Sequence, residues 1–353
     1  MDEPTSSAMS ERLFGQAVVA MEAASVWLGH QLGWYTALHE FGPATPDELA
    51  ERTGTQPRYA REWLEQQAVA GILILDGDRF SLPPGHAEAL LDADSAQWTE
   101  PLVRQIVTAI LRLPAVAEAY KTGGGVPWES FGPDMSIAQG DINRPALRHS
   151  LPEDWVPQIP DLRERLAGPA RVADVGCGHG WSAVGLASTF PGIEVDGFDV
   201  DAAALQAAER HAAEAGVADR VRFHQADVAT AVTGGPYDVL LAAECLHDMP
   251  RPVEVLAAMR QAAKPDAVVI VIDEAADPVF TAPADEIQRL LYGFSLLICL
   301  PDSLAHTPSA ATGAVMRPAT LTKYAEAAGF TGAAPLNVTD TGFWTIYRLG
   351  MPT

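Results

Sequence analysis

Three glycines at alternate positions, Gly176, Gly178 and Gly180, separate a short apolar run at 172–175 from a stretch with helical spacing at 183–190. Such a strand, tight turn and helix let the backbone approach a ligand closely, and the helix offers its unpaired N–H groups there. A dinucleotide fingerprint would require a further glycine at 181, which is Trp181. The spacing therefore suits a nucleoside carrying an amino acid better than a pyrophosphate. A second apolar run, 193–198, ends in Asp199, an acid placed to hold ribose hydroxyls. His247 stands at the end of the apolar run 237–242. Open α/β sheets place their ligands at the carboxyl ends of such strands.

These residues, with 223–227, 237–248 and 264–274, resemble the cofactor site of class I S-adenosylmethionine-dependent methyltransferases. The resemblance implies that Gly176, Gly178 and Gly180 line the methionine moiety of S-adenosyl-L-methionine, Asp199 binds ribose and Asp227 adenine. It extends the cofactor-binding set to Asp174, Val200 and Val228. Glu244 is a further candidate, for the cofactor's amino group. Plant-type O-methyltransferases carry His-Asp where this chain has His247-Asp248 and use the histidine as general base. An unperturbed imidazole titrates near ~6.5, which suits that task. The family's orienting glutamate matches Glu274, with Asp273 as the substitute; Asp248 reads as a helix cap. His179 and Trp181 could cover the methionine moiety or point into the fold. The pattern His-Asp-Trp-x-Asp is broken here, because Met249 and Arg251 replace the tryptophan and the second acid.

The elements that must position these groups follow from periodicity. Alternating strands and helices from 172 onward imply a parallel sheet covered on both faces. The expected fold is α/β, a Rossmann-like class I methyltransferase sheet. A terminal antiparallel hairpin is expected from 333–339 and 343–349, and a mostly helical winged-helix domain precedes the sheet. In that first part, Thr45, Pro46, two acids and Gly54 bound a short helix. A second helix spans 56–70, and a hairpin at 72–82 has Asp76-Gly77 as its turn. The expected division is 1–95 for winged helix and dimerisation, 96–165 for a helical linker and substrate lid, and 166–353 for the cofactor domain. Residues 88–113 read as mostly helical, 120–133 as a Gly/Pro-rich loop, and 284–300 and 318–328 as helices.

Composition limits the partners. A net charge of −23 argues against binding a phosphate backbone, and the second helix of the winged-helix part balances two arginines with two glutamates. A homodimer through the first helices is the expected assembly. The three cysteines, Cys177, Cys245 and Cys299, have neither metal nor disulfide spacing, and no metal is expected. His211, His224 and His306 lack partner spacing. Without a signal-like start or a run that could span a bilayer, the reading is a cytoplasmic chain with no membrane association. The function expected is O-methylation of a small aromatic or polyketide-like natural product with His247 as base. Trp128, Tyr292, Phe294 and Met316 are the candidate substrate contacts. Two alternatives stay open: the same fold redirected to non-methyl chemistry such as cyclisation, and a ligand-responsive winged-helix regulator.

Overall fold

The computed structural model describes residues 5–352. It divides into two compact units, one running to Leu111 together with Ile137–Ile142, the other comprising Arg112–Ser136 and everything from Asn143 on. Residues 96–165, expected as a separate linker and lid, are thus shared between the two units.

The first unit holds α1 (Ser6–Gln31), α2 (Trp34–Phe41), α3 (Pro46–Thr53), α4 (Pro57–Val69), β1 (Ile74–Asp76), β2 (Arg79–Ser81), α5 (Pro84–Leu91) and α6 (Glu100–Ile110). Helix α3 begins where its sequence says it must. The Thr45 side chain accepts from Glu48 N–H and the Glu48 carboxylate accepts from Thr45 N–H, while Gly54 closes the helix in the left-handed region. The core is built on Trp34, Tyr35, Leu49, Trp63 and Leu64, with Trp34 and Trp63 4.8 Å apart. The hairpin pairs Asp76 with Arg79, so its turn is Gly77-Asp78 rather than Asp76-Gly77. Only Gly77 supplies a positive φ, and it sits first in the two-residue loop.

Helix was expected to run through 88–113, but it breaks at 92–99. Asp92 accepts from Asp94 N–H, Ser95 Oγ accepts from Gln97 N–H, and these local bonds compete with the helical ladder.

The second unit begins with α7 (Leu113–Thr122), so the expected loop at 120–133 starts three residues late and ends in a single tight turn at Trp128–Phe131. Helix α8 (Pro133–Pro145) widens into a π-type stretch, Ala146–Trp155, and α9 (Pro160–Leu166) leads into the sheet. Strands β3 (Ala170–Val175), β4 (Ile193–Asp199), β5 (Val221–Gln225), β6 (Tyr237–Ala243) and β7 (Ala263–Glu274) alternate with α10 (Trp181–Thr189), α11 (Ala202–Glu214) and α12 (Pro252–Ala262). Then come α13 (Glu286–Phe294), α14 (Leu300–Leu304), α15 (Pro318–Ala327), β8 (Ala333–Pro335) and β9 (Trp344–Leu349). The expected helix at 284–300 is thus α13 and α14 joined by a wider stretch at Ser295–Cys299.

The sheet order is β5-β4-β3-β6-β7-β9-β8. Its first five strands are parallel, and β9 runs antiparallel to both β7 and β8. The terminal hairpin is therefore present, though its first strand is shorter than 333–339. Two apolar layers sandwich the sheet, one around Val172, Val195, Val239 and Ile270, the other around Val175, Leu240, Val269 and Tyr347. The chain leaves β3 towards β4 and β5, then returns to β6 on β3's other side. That reversal opens a crevice at the carboxyl ends of β3 and β6.

Candidate active site

The candidate residues stand in the loops and strand ends around the reversal. After β3, Gly176, Gly178 and Gly180 have φ of 69°, 49° and 78°. A Cβ on Gly176 would lie 2.7 Å from Cys245 Sγ, so this glycine lets the turn pack against the β6 loop. A Cβ on Gly178 would meet nothing within 4 Å, so the turn faces open space there. Asp174 is buried in the strand and accepts from the Ser182 hydroxyl, which ties β3 to the first turn of α10. Burial pushes its carboxyl up to about 6, and the neighbouring Asp199 adds to the shift.

Asp199 ends β4. Its Oδ2 accepts from Gly178 N–H at 2.8 Å and its Oδ1 from Asp201 N–H at 2.9 Å. Each oxygen keeps a lone pair, as a vicinal diol requires. Burial raises its carboxyl above the ordinary aspartate value, against the pull of these backbone donors. The next residue, Val200, is 65 % exposed, an apolar surface at the crevice mouth, whereas Val228 is buried in the core. Past β5, Asp227 accepts from Ala229 N–H at 3.0 Å and from the Arg251 guanidinium. The open glycine turn, a diol-competent acid and an exposed apolar side chain beside it fit an adenosyl amino acid.

The loop after β6 carries Glu244 at φ 56°, Cys245, His247 and Asp248. His247 is buried, and its Nδ1 lies 2.7 Å from Asp273 Oδ1 and 2.8 Å from Glu274 Oε2, both at the end of β7. The hydrogen on Nδ1 points at Asp273, and no hydrogen bond reaches Glu274 Oε2. Asp273 is therefore the orienting partner by hydrogen bonding, with Glu274 beside it as an electrostatic neighbour. On the other edge of the ring, Nε2 is 3.2 Å from Asp248 Oδ1. Asp248, with its side chain 33 % exposed, is the member of this cluster nearest solvent.

Five ionisable groups buried together divide their protons unequally. Burial by itself would lower the His247 pKa, but Asp248, Glu274 and Asp273 outweigh it and hold the ring well above the ordinary histidine value. Burial would raise Asp273, yet the facing imidazolium keeps it below the ordinary aspartate value. Glu274 is driven well up by burial, with Glu244 and Asp273 adding to the shift. Burial likewise pushes Glu244 up to about 8. Burial and the facing charges thus favour charge on His247 and Asp273 and disfavour it on the two glutamates. His247 with Asp273 and Glu274, or with Asp248 and Cys299, also brings ligand atoms within 4.8 Å of one another. The approach of Cys299 from a distant helix had no signal in sequence spacing.

The four candidate substrate residues stand in different surroundings. Trp128 N–H donates to Asp302 Oδ1 at 2.7 Å, and Val126 N–H donates to Pro301 O, so the loop before Trp128 is fastened to α14. Burial lifts Asp302 to about 7, with Asp248 contributing to the shift. Tyr292 is partly exposed and its hydroxyl accepts from Arg317. Phe294 is half-buried, while Met316 lies in the core layer with Leu321 and Ala325. His179 contacts Ser136 through its ring, and His211 stacks on buried Trp181 at 3.9 Å, so Trp181 points into the fold.

Residues 168–294 match a family described as a methyltransferase domain, and residues 20–91 match a Rv2258c-like winged HTH domain. The N,N-dimethyltransferase OxyT of Streptomyces rimosus is 27 % identical over 273 residues, covering 74 % of this chain and 78 % of OxyT. Among solved structures, the mitomycin 7-O-methyltransferase MmcR superposes with a TM-score of 0.72 at 21 % identity, over 98 % of each chain. Human N-acetylserotonin methyltransferase, solved in complex with SAM, gives 0.70 at 16 % identity over the full length of both. At such identities the superpositions establish the fold. Among the described residues no helix is long and apolar enough to cross a membrane. The chain therefore carries a methyltransferase domain at 168–294, of the kind that takes S-adenosylmethionine, after a winged helix–turn–helix domain at 20–91.

Proposed function

We propose that the protein transfers the methyl group of S-adenosylmethionine to a hydroxyl of a small aromatic or polyketide-like compound, with His247 as general base. The observation that carries this reading is the buried His247–Asp273 pair, 2.7 Å apart, at the carboxyl end of β6 beside the glycine turn. S-adenosylmethionine supplies an electrophilic methyl on a sulfonium, and the chain's task is to hold the acceptor in line and remove its proton. The methionine end would lie along Gly176, Gly178 and Gly180, and the ribose diol on Asp199. Asp273 holds Nδ1, so the opposite nitrogen, Nε2, which faces Asp248, would take the acceptor's proton once the ring is neutral. Alignment can supply roughly 7–11 kcal/mol and a positioned base a further ~10²–10⁴-fold. Trp128, fastened near Asp302, is the aromatic residue best placed to line the acceptor side.

An amine acceptor is the second reading, favoured by the similarity to OxyT, an N,N-dimethyltransferase. Methyl-deuterated S-adenosylmethionine with paired phenol and arylamine acceptors separates them: label on oxygen supports the first reading, label on nitrogen alone the second. Unlabelled product, formed while the cofactor stays intact, would instead mean non-methyl chemistry.

The assembly we propose is a homodimer through α1. This helix leaves Leu13, Phe14, Val19 and Met21 more than half exposed. Apolar stripes of this size mark interaction surfaces. Light scattering should give twice the chain mass for the wild type and a monomer for Phe14→Glu/Val19→Glu; a monomeric wild type would refute it.

A further inference from the structure

One ion pair at the crevice mouth has no role in the scheme above. Asp227 follows β5 and Arg251 immediately precedes α12, four positions after His247 on the same loop. The Arg251 guanidinium donates to Asp227 Oδ2, while Oδ1 is taken by Ala229 N–H. The two side chains are 32 % and 50 % exposed respectively. An ion pair this open to water stabilises a fold by only ~0–1 kcal/mol, so folding gives little reason for it. Its position is more telling. The resemblance puts adenine at Asp227, and the related pattern has an acid where this chain has Arg251. A second acid there would repel Asp227; an arginine instead pairs with it and sets fixed donors beside an acceptor.

We infer that Asp227 and Arg251 together read the edge of the cofactor's base, Asp227 accepting from the 6-amino group and Arg251 donating to a neighbouring ring nitrogen. Adenine offers that order, donor beside acceptor. Hypoxanthine reverses it, with a carbonyl at C6 and a hydrogen on the adjacent nitrogen. The base cannot turn over to compensate while its ribose is fixed on Asp199. Arg251 is thus a specificity-determining residue on the loop that carries the base, and the inference rests on the proposed adenosyl cofactor.

Calorimetry with S-adenosylhomocysteine and S-inosylhomocysteine tests it without turnover. The wild type should favour the adenine compound by about tenfold or more, the range set by one or two hydrogen bonds to charged groups. Arg251→Ala should weaken S-adenosylhomocysteine about tenfold and shrink the preference, and Asp227→Asn should shrink it too. Arg251→Lys should recover part of it. Melting temperatures within a degree or so of wild type, as suits exposed side chains, separate recognition from misfolding. An unchanged preference in a folded Arg251→Ala would overturn this inference alone. A wild type that binds neither compound would overturn the cofactor reading and this inference with it.

Discussion

Nδ1 of His247 donates to Oδ1 of Asp273 across 2.7 Å, joining the loop after β6 to the last turn of β7 with both side chains buried. The bond fixes the ring so that Nε2 faces away from the sheet, towards Asp248. Removing the ring should therefore hurt proton removal far more than cofactor binding. His247→Ala is expected to lower kcat by about two orders of magnitude or more. The dissociation constant for S-adenosylhomocysteine should stay within a few-fold. Near-normal turnover would reduce His247 to a structural pin between two strands.

The same carboxylates make the base pH-dependent. Because the acids around it hold His247 well above the ordinary histidine value, the ring becomes a base only as the pH rises past that value. kcat/KM should climb with pH through a value above ~6.5. The folded-state pKa is raised, so the stability that this group contributes is complete below its unfolded value and lost as the pH rises through the folded one. Activity and stability should thus move in opposite directions. Asp273→Asn keeps an acceptor but removes a charge, and should shift the climb to lower pH. A flat profile above neutrality would contradict the charge arrangement.

Asp199 holds the glycine turn through Gly178 and would hold the ribose as well. Asp199→Ala should weaken S-adenosylhomocysteine binding by roughly 10–100-fold, the loss expected from hydrogen bonds to a charged group. Circular dichroism should stay unchanged. Unaltered affinity would remove Asp199 from the cofactor site.

In the first unit, Glu100 is buried with no hydrogen bond to either carboxylate oxygen. His30 Nδ1 lies 3.4 Å away and the Arg104 guanidinium 3.5 Å, and Arg104 is drawn off to Asp141 at 2.6 Å. Burial pushes the Glu100 carboxyl up to about 7. A raised pKa means the neutral acid suits the fold, so stability is full below the unfolded value and falls as the pH passes through 7. The loss by pH 8 is on the order of 3 kcal/mol. Glu100→Gln should flatten the dependence and melt higher than wild type at pH 8. Parallel melting curves for the two proteins across pH 5–8 would show that Glu100 stays charged in the fold.

Much of the sheet domain could be read from the chain because its signals are local. Gly176 to Gly180, Asp199 and the apolar runs before them are each set by backbone geometry over a few residues, and all fall where expected. Thr45, Glu48 and Gly54 declared α3 in the same way. Misses arose where side chains outcompete the local pattern, as Asp92 and Ser95 do in breaking a helix. At the histidine, sequence matching pointed to Glu274. Which of two adjacent acids receives the ring's hydrogen depends on the direction each side chain leaves β7, and the bond goes to Asp273. Met316 has the composition of a pocket wall but belongs to a core layer, a distinction only packing can make. The approach of Cys299 and Arg251 to their acids is likewise set by tertiary structure.

The central claim is that the crevice at the carboxyl ends of β3 and β6 holds an adenosyl methyl donor. Titration calorimetry of the intact protein with S-adenosylhomocysteine tests it most directly. The account predicts saturable binding at one site per chain, abolished or greatly weakened in Asp199→Ala. No heat at saturating ligand, or equal binding by wild type and Asp199→Ala, would contradict it.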